Sequence, residues 1–322
     1  MSRVRAISKH NGGMSFKDIL NPICALAART CEKSPLAADL VRKVDFKGKG
    51  RIVQRIRSGA MAREIVASCD GIQFQLDLRD DIQRELYFNV YEREDLKVAL
   101  ELIPVGGACI DIGANNGAFA LQFARKVGPA GVVHAYEPDP TIFSRLWSNR
   151  SLNRFEKVLH CHRAAVSNVN GSVTFHGSDP GHSGWGSLIE FSDIAVRTSA
   201  VNATTLDAIV ACENLDKVDF LKIDVEANEP EVLAGGKAAL EQQKFRFIMI
   251  EYNGVRLAER GKTLEEFLQP LRAAGYASIA LRTDLMNQML ERTVAPDSIV
   301  TNFLFAPIDG KSAGHSTNGV KY

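Results

Sequence analysis

The chain has 322 residues, 45% of them hydrophobic and 24% charged, enough apolar material for one large core or for a core with a smaller appendage. Its formal net charge of +1 provides no strong field to draw it to nucleic acid or an anionic membrane, and no stretch approaches the ~20 apolar residues of a membrane span. The six cysteines, at 24, 31, 69, 109, 161 and 212, form no CxxC pair, and MSRVRAISKHNGG has no apolar segment behind it, so reduced thiols, no disulfide framework, no zinc site and a cytoplasmic address are expected.

Residues 1–14 are polar, with Gly12-Gly13, and are expected to be disordered. From Phe16 to Cys31 the apolar residues Phe16, Ile19, Leu20, Ile23 and Ala27 follow helical spacing, and a second helix is expected over about 35–44. The basic run FKGKGRIVQRIR that follows reads as a solvated face. Residues 1–63 are too few for an independent catalytic unit and are read as a helical docking cap, whose first helix is a candidate surface for a homodimer. In 64–78 apolar and polar residues alternate on both sides of Asp70-Gly71, a pair suited to the positive φ angles of a tight turn, which predicts a β-hairpin. Residues 80–101 read as helix with a polar break near 92–95, so 64–101 lead from the cap into the core.

From 107 to 306 strand, turn and helix repeat. The strand candidates are GACIDIGA (107), GVVHAYEP (131), KVLHCHRAAV (157), DFLKIDVE (219), FRFIMIEYN (245), YASIAL (276) and NFLFAP (302), with helices near 117–127, 140–152, 205–213 and 229–242. Near-continuous apolar strands alternating with helices predict an α/β protein with a parallel sheet covered on both faces. Asp139 before Pro140, Asn228 before Glu229-Pro230, and the capping-box spacing of Thr263 and Glu266 mark helix starts. Between 167 and 203 the rhythm is broken by an expected hairpin (SNVNGSVTFH), the glycine-rich GSDPGHSGWGS and another extended run, an insertion placed where a substrate lid would sit. The core is therefore assigned to 102–307, and the polar tail 308–322 is expected to be disordered.

CIDIGANNGAF (109–119) is either an ordinary strand-to-helix turn or a loop shaped for a ligand. In open parallel sheets ligands bind beyond the carboxyl ends of the strands, beside the topological switch point. Gly113 and Gly117 let backbone approach a ligand there, and the following helix offers N–H groups to an anionic group. Glu137 ends the second strand in YEPDP, where a carboxylate can accept both hydroxyls of a ribose. Nicotinamide and S-adenosylmethionine (SAM) enzymes share these features, and the glycine spacing separates them. A dinucleotide fingerprint wants GxGxxG, and Asn115 occupies the middle glycine position, where a pyrophosphate needs bare backbone. SAM, with only an amino-acid carboxylate and a sulfonium, tolerates the wider GxxxG loop with an acid, Asp111, two residues before it.

The segments ELYFNVYE (85–92), VGGACIDIGANNGAF (105–119), GVVHAYEPDP (131–140), AAVSNVNG (164–171), HSGWGSL (182–188), TTLDAIV (204–210), FLKIDVEANEPEVLAGG (220–236) and IMIEYN (248–253) resemble, in order, the FkbM family of SAM-dependent methyltransferases. The resemblance covers about residues 65–255. It implies a class I methyltransferase (Rossmann-like) fold over 102–307, with a seven-stranded, mostly parallel sheet whose last strand is antiparallel. It also implies SAM as cofactor and O-methylation of a hydroxyl on a small-molecule or glycan acceptor, either a sugar or a polyketide-like metabolite. An N-methyltransferase acting on a protein side chain and a non-catalytic SAM-binding protein are the alternatives. The cofactor-binding candidates are Glu92, Asp111, Gly113, Asn115, Asn116, Gly117, Glu137, Pro138, Ala165 and Asp224. One departure is that the family usually has Glu-Gly where this chain has Glu226-Ala227, which is tolerable unless the position needs a positive φ.

Methyl transfer from a sulfonium is an in-line displacement helped by positioning and water exclusion. A sugar hydroxyl is a poor nucleophile at neutral pH, so a base or a Lewis-acidic metal is expected nearby. Asp224 and Glu226 stand two residues apart at a strand end, and Glu251 ends the neighbouring strand; acids inside such apolar runs are costly to bury without purpose. Asp224 can act as base, orient the amino group of SAM, or bind Mg²⁺ with Glu251, although no tightly held metal is expected. Glu226 or Asn228 can alternatively cap the helix near Glu229. His182 in the HSGWG lid is a further candidate base, whereas His160 and His162, alternating on a strand, read as structural. Trp185 can stack on a sugar face or merely pack the lid, and Glu92, beside Tyr91, can reach the SAM ammonium or be a helix-surface acid.

Overall fold

The computed structural model describes residues 16–57, 60–61, 64–178, 181–191 and 197–308, so the disorder expected for 1–14 and for the tail lies outside the described residues. The cap contributes α1 (Phe16–Lys33), α2 (Pro35–Lys43) and α3 (Lys49–Val53), followed by β1 (Ile65–Cys69), β2 (Ile72–Leu76), α4 (Asp81–Tyr87) and α5 (Arg93–Leu102). The core continues with β3 (Ala108–Ile112), α6 (Ala120–Val127), β4 (Val132–Tyr136), α7 (Pro140–Leu152), β5 (Leu159–His162), β6 (Ala165–Ser167), β7 (Gly171–Gly177) and β8 (Arg197–Thr205). Then come α8 (Leu206–Cys212), β9 (Phe220–Ile223), α9 (Glu229–Gly235), α10 (Lys237–Glu241), β10 (Ile248–Asn253), α11 (Gly254–Glu259), α12 (Leu264–Ala273), β11 (Tyr276–Ser278), α13 (Thr283–Leu290) and β12 (Val300–Pro307).

The central sheet has seven strands in the order β11-β12-β10-β9-β3-β4-β5. Strands β3, β4, β5, β9 and β10 run parallel, and β12 is antiparallel to both its neighbours, the class I methyltransferase arrangement. Phe220, Leu221 and Ile223 are all fully buried along β9, as they must be where helices cover both faces. The chain builds outward from β3 through β4 to β5, then returns to add β9 on the other side of β3. The strand order therefore reverses at β3, and a crevice opens beyond the carboxyl ends of β3 and β9.

Several expected elements resolve differently. The run 157–166 is not one strand: β5 stops at His162, and β6 enters a second sheet of order β6-β8-β7. Residues 167–176 likewise form no hairpin, because β8 lies between β6 and β7, pairing parallel with the first and antiparallel with the second. The break expected near 92–95 in the 80–101 helix falls slightly earlier, at 88–92 between α4 and α5, with Asn89 and Glu92 at φ 54° and 38°. The helix expected over 229–242 divides at Gly236. Helix α6 begins at Ala120 rather than 117. The basic run of the cap is not wholly solvated either, since Lys49 is buried and its ammonium donates to the Arg42 carbonyl at 2.8 Å. The three marked helix starts fall where the sequence suggests, at Pro140, Glu229 and Leu264, and two of them carry a side-chain cap. The Asp139 carboxylate accepts the N–H groups of Thr141 and Ile142, and the Thr263–Glu266 capping box closes in both directions.

The described residues of the cap share the core of the rest. Its Cys24, Ala28, Cys31 and Ala38 belong to one apolar cluster with Phe74 of β2, Phe123 of α6 and Phe220 of β9. The hairpin turns at Asp70-Gly71 through φ angles of 44° and 81°, as the dipeptide predicts. Its second strand is held by side chains of α7 in place of a third strand. Asn153 accepts the Gln73 N–H at 2.9 Å and donates to the Gln73 carbonyl at 2.7 Å, and Asn149 accepts the Gln75 N–H at 2.7 Å. Asn149 also donates to the carbonyl of Asn116 at 2.9 Å, tying the hairpin to the glycine loop. Replacing Asn149 with Ala strands an N–H and a carbonyl in a buried position, and urea unfolding should show a loss of about 2–3 kcal/mol; a loss below about 0.5 kcal/mol would mean water replaces the amide freely.

Candidate active site

A cavity of ≈ 170 Å³ lies in the crevice. Gly113 forms part of its wall at φ +81°, and a Cβ at this position would lie 1.7 Å from the carbonyl oxygen of Asp224. The glycine is thus required by chain approaching chain, and that approach brings both the loop after β3 and the loop after β9 to the cavity. Asn115 follows at φ 48°, and its N–H donates to Glu137 Oε2 at 3.0 Å. The Asp139 N–H donates to Glu137 Oε1 at 2.8 Å, so both carboxylate oxygens are oriented by backbone. Burial pushes the Glu137 carboxyl up to about 8, opposed by those two N–H groups. Pro138 and Ala165 complete this side of the cavity.

Four of the expected site residues do not line it. Asp111 is buried within β3, directly opposite Lys222 of β9 in the ladder. Asn116 is fully buried and engaged through its carbonyl with Asn149. Gly117, at φ +94°, packs against Leu146 and Leu121 and leaves no room for a side chain. The loop therefore turns into the core after Asn115, and only its first half reaches the crevice. His182 is the fourth: its Nε2 lies 3.3 Å from Asp81, its ring sits 4.6 Å from that of Trp185, and the carboxylates of the cavity are not among its partners.

The other expected acids converge. Strand β9 stops at Ile223, which pairs with Ile250, so Asp224 emerges beside Glu251 of β10. Carboxylate oxygens of Asp224, Glu226 and Glu251 all lie within 4.8 Å of one another. Burial, and then the charge of Asp224, holds the Glu226 and Glu251 carboxyls well above the usual range. Glu92 is no surface acid. It lines the cavity, and burial raises it to about 7, with Lys222 pulling the other way. Tyr91 stands beside it in the wall.

Lys222 is the residue the sequence reading missed. It is 2% exposed, with its ammonium 2.7 Å from Asp224 Oδ2 and 4.6 Å from the centre of the Phe119 ring. Burial opposes its charge, but the carboxylates of Asp224, Glu92 and Asp111 outweigh that and raise its pKa. The signal was a single lysine inside the apolar run FLKI, two residues before an acid and so on the same face.

The loop after β9 shows why Ala227 matters. Glu226 and Ala227 take φ angles of 52° and 68°, so the position where the family usually has glycine does need left-handed backbone. Asn228 occupies the N-cap position of α9, but its side chain makes no capping hydrogen bond there. Asn228 donates instead to Ser167 Oγ at 3.3 Å, and Glu229 Oε1 accepts the Val225 N–H at 2.9 Å. The HSGWG segment forms the opposite wall through Ser183, Gly184, Trp185 and Gly186, and the Ser187 hydroxyl donates to the Glu226 carbonyl at 2.8 Å. Among the described residues the lining carries the carboxylates of Glu92, Glu137, Asp224, Glu226 and Glu251 and no lysine, arginine or histidine. Such a cavity favours a cationic ligand and repels a pyrophosphate.

The model of the methyltransferase FkbM domain matches residues 111–278, just over half of the chain. The chain belongs to the FkbM methyltransferase family. It is similar to the 2-O-methyltransferase NoeI of Sinorhizobium fredii, with 31% identity over 50% of this chain and 70% of that one. It is 28% identical to the hexuronic acid methyltransferase AglP of Haloferax volcanii, over 65% of this chain and 78% of the relative. The 31-O-demethyl-FK506 methyltransferase FkbM of Streptomyces tacrolimicus is 29% identical over 61% of this chain and 82% of its own. This FkbM-family enzyme is a SAM-dependent methyltransferase on a class I sheet. Its acidic site makes Lys222 indispensable to the fold: Lys222→Met should cost about 3–5 kcal/mol in chemical denaturation, and adding Asp224→Asn should recover a measurable part. No recovery would show that packing over Phe119, not charge, holds Lys222 in place.

Proposed function

We propose that this FkbM-family enzyme methylates a hydroxyl of a sugar, a glycan or a polyketide-like metabolite. The observation that carries the proposal is the switch-point cavity with five carboxylates and no basic side chain among the described lining residues. The relatives support the acceptor class through their names: one methylates at a 2-O position, another acts on a hexuronic acid, and the third on 31-O-demethyl-FK506.

The lining fits SAM, whose sulfonium and ammonium are cationic. When bound it supplies an electrophilic methyl group. Glu137, with both oxygens already oriented by backbone N–H groups, would accept the ribose hydroxyls, and Gly113 and Asn115 would form the adjoining backbone wall. Glu92 and Asp224 would face the ammonium. Glu226 and Glu251 would take the proton from the acceptor hydroxyl, because a carboxyl raised by burial and by neighbouring charge is a stronger base once an incoming cation returns it to the ionised form. Trp185, 45% exposed at the mouth, offers a flat face to a sugar ring. We read the three-acid cluster as proton acceptor rather than Mg²⁺ site, since the buried Lys222 ammonium already neutralises Asp224; turnover unchanged by EDTA would agree.

The unpaired state of all six cysteines supports a cytoplasmic location, and no described helix is long and apolar enough to cross a membrane. Exposed Ile23 and Leu26 on α1, with Leu36 and Leu40 on α2, support pairing of two copies through the cap.

Incubated with SAM and a panel of glycosides and polyols, the enzyme should yield a product heavier by one methyl group, located on oxygen by fragmentation; methyl transfer only to protein substrates would overturn the proposal. Glu251→Gln should lower kcat at least about 100-fold while S-adenosylhomocysteine affinity stays within a few-fold. Because Glu137 holds its proton up to about 8, its ionised fraction, and with it affinity for a ribose-bearing ligand, should rise about tenfold per pH unit below that value. Calorimetry with S-adenosylhomocysteine at several pH values should show this slope in the wild type and a flat profile in Glu137→Gln.

A further inference from the structure

On the face of the sheet beside α8, β4 and β5 gather histidines that the acidic cavity does not use. His134 lies opposite His160 in the ladder and Tyr136 opposite His162, so all four rings share one face. His134 stacks with His160 and His162 at 5.2 and 5.4 Å, and His162 stacks on Tyr136 at 4.4 Å. His134 Nδ1 and His162 Nε2 are 3.2 Å apart, and Glu213, the residue after α8, brings Oε2 to 3.7 Å from His134 Nδ1. One ligand atom from each of the three residues lies within 4.8 Å of the others.

A hydrogen bond between two neutral imidazoles explains the 3.2 Å contact alone. It does not explain why a carboxylate from a separate helix is directed at the same point. A four-coordinate zinc ion does, because nitrogen and oxygen ligands at ~2.0–2.2 Å in a tetrahedron stand about 3.3 Å apart. The observed separations need adjustments of only tenths of an ångström along those two edges. Imidazole nitrogens and a carboxylate oxygen meet here with lone pairs to offer a cation. Two imidazoles and one carboxylate are a donor set suited to zinc rather than to magnesium.

We propose that His134, His162 and Glu213 bind one divalent transition-metal ion of the zinc type, with a fourth position open to water. The ion would cross-link β4, β5 and the end of α8 beside Tyr136, which stacks on His162 and lines the cavity. It shares no ligand with Asp224, Glu226 and Glu251, so it stands apart from the methyl-transfer reading.

The test uses the full chain stripped with EDTA and dialysed, titrated with zinc sulfate by calorimetry and with cobalt(II) by visible absorption. Expected are one equivalent of zinc bound, the intense cobalt spectrum of a four-coordinate site, and a Tm raised by zinc. His162→Ala and Glu213→Gln, at residues only partly buried, should each weaken zinc at least about tenfold and lose the cobalt spectrum. Glu251→Gln should bind zinc as the wild type does. Absence of saturable zinc binding to folded protein would overturn the proposal. So would zinc affinity unchanged from the wild type in both His162→Ala and Glu213→Gln, or a loss confined to Glu251→Gln.

Discussion

Lys222 lies between Asp111 on the neighbouring strand and Asp224 beyond the end of its own, sealed from water with an aromatic ring over its ammonium. Near it stand Glu92, Glu226 and Glu251, half-buried in the cavity wall, and the buried Glu229, each carboxyl raised by desolvation and by its acidic neighbours. Without that cation the crevice would hold too many like charges to close. With it, the remaining negative field is moderate enough to bury and strong enough to select a cation. Placement follows from strand geometry, since residues 222 and 224 project to the same side and the Ile223–Ile250 pairing sets Glu251 level with Asp224.

Backbone conformation concentrates the same way. Glu92, Asn115, Glu226 and Ala227 all take left-handed φ angles at or beside the cavity wall, where L-residues are disfavoured. Each turns its chain sharply, so that loops after β3, β9 and α4 meet in a small volume. Gly113 permits the closest of these meetings, against the Asp224 carbonyl. Ala227 carries in this chain the strain that a glycine would avoid.

Much of this was legible in the sequence. The seven core strands, the hairpin turn and the capped starts of α7 and α12 follow from periodicity and local chemistry, which act over a few residues. What was not legible depends on partners distant in the chain. The division of residues 157–166 requires β8, some thirty residues on, as the partner that draws β6 away. The glycine loop was read as one cradle because GxxxG is symmetrical on paper, yet Gly117 serves helix packing and Asn116 the hairpin. Lys222 is a single polar residue among the apolar residues of β9, and only the fold shows the acids it balances. His182 belonged to the right segment, but its pairing with Asp81 depends on how the insertion folds back onto α4.

The asparagines of α7 have a consequence beyond holding the hairpin. A two-stranded ribbon normally offers its outer backbone groups to any extended chain that drifts past, and that is how edge strands seed aggregation. Here the amides of Asn149 and Asn153 occupy the outer hydrogen-bonding positions of β2, imitating a strand that cannot be extended. The ribbon is closed on that side by side chains alone, so the cap and the core are joined through an edge to which no further strand can be added.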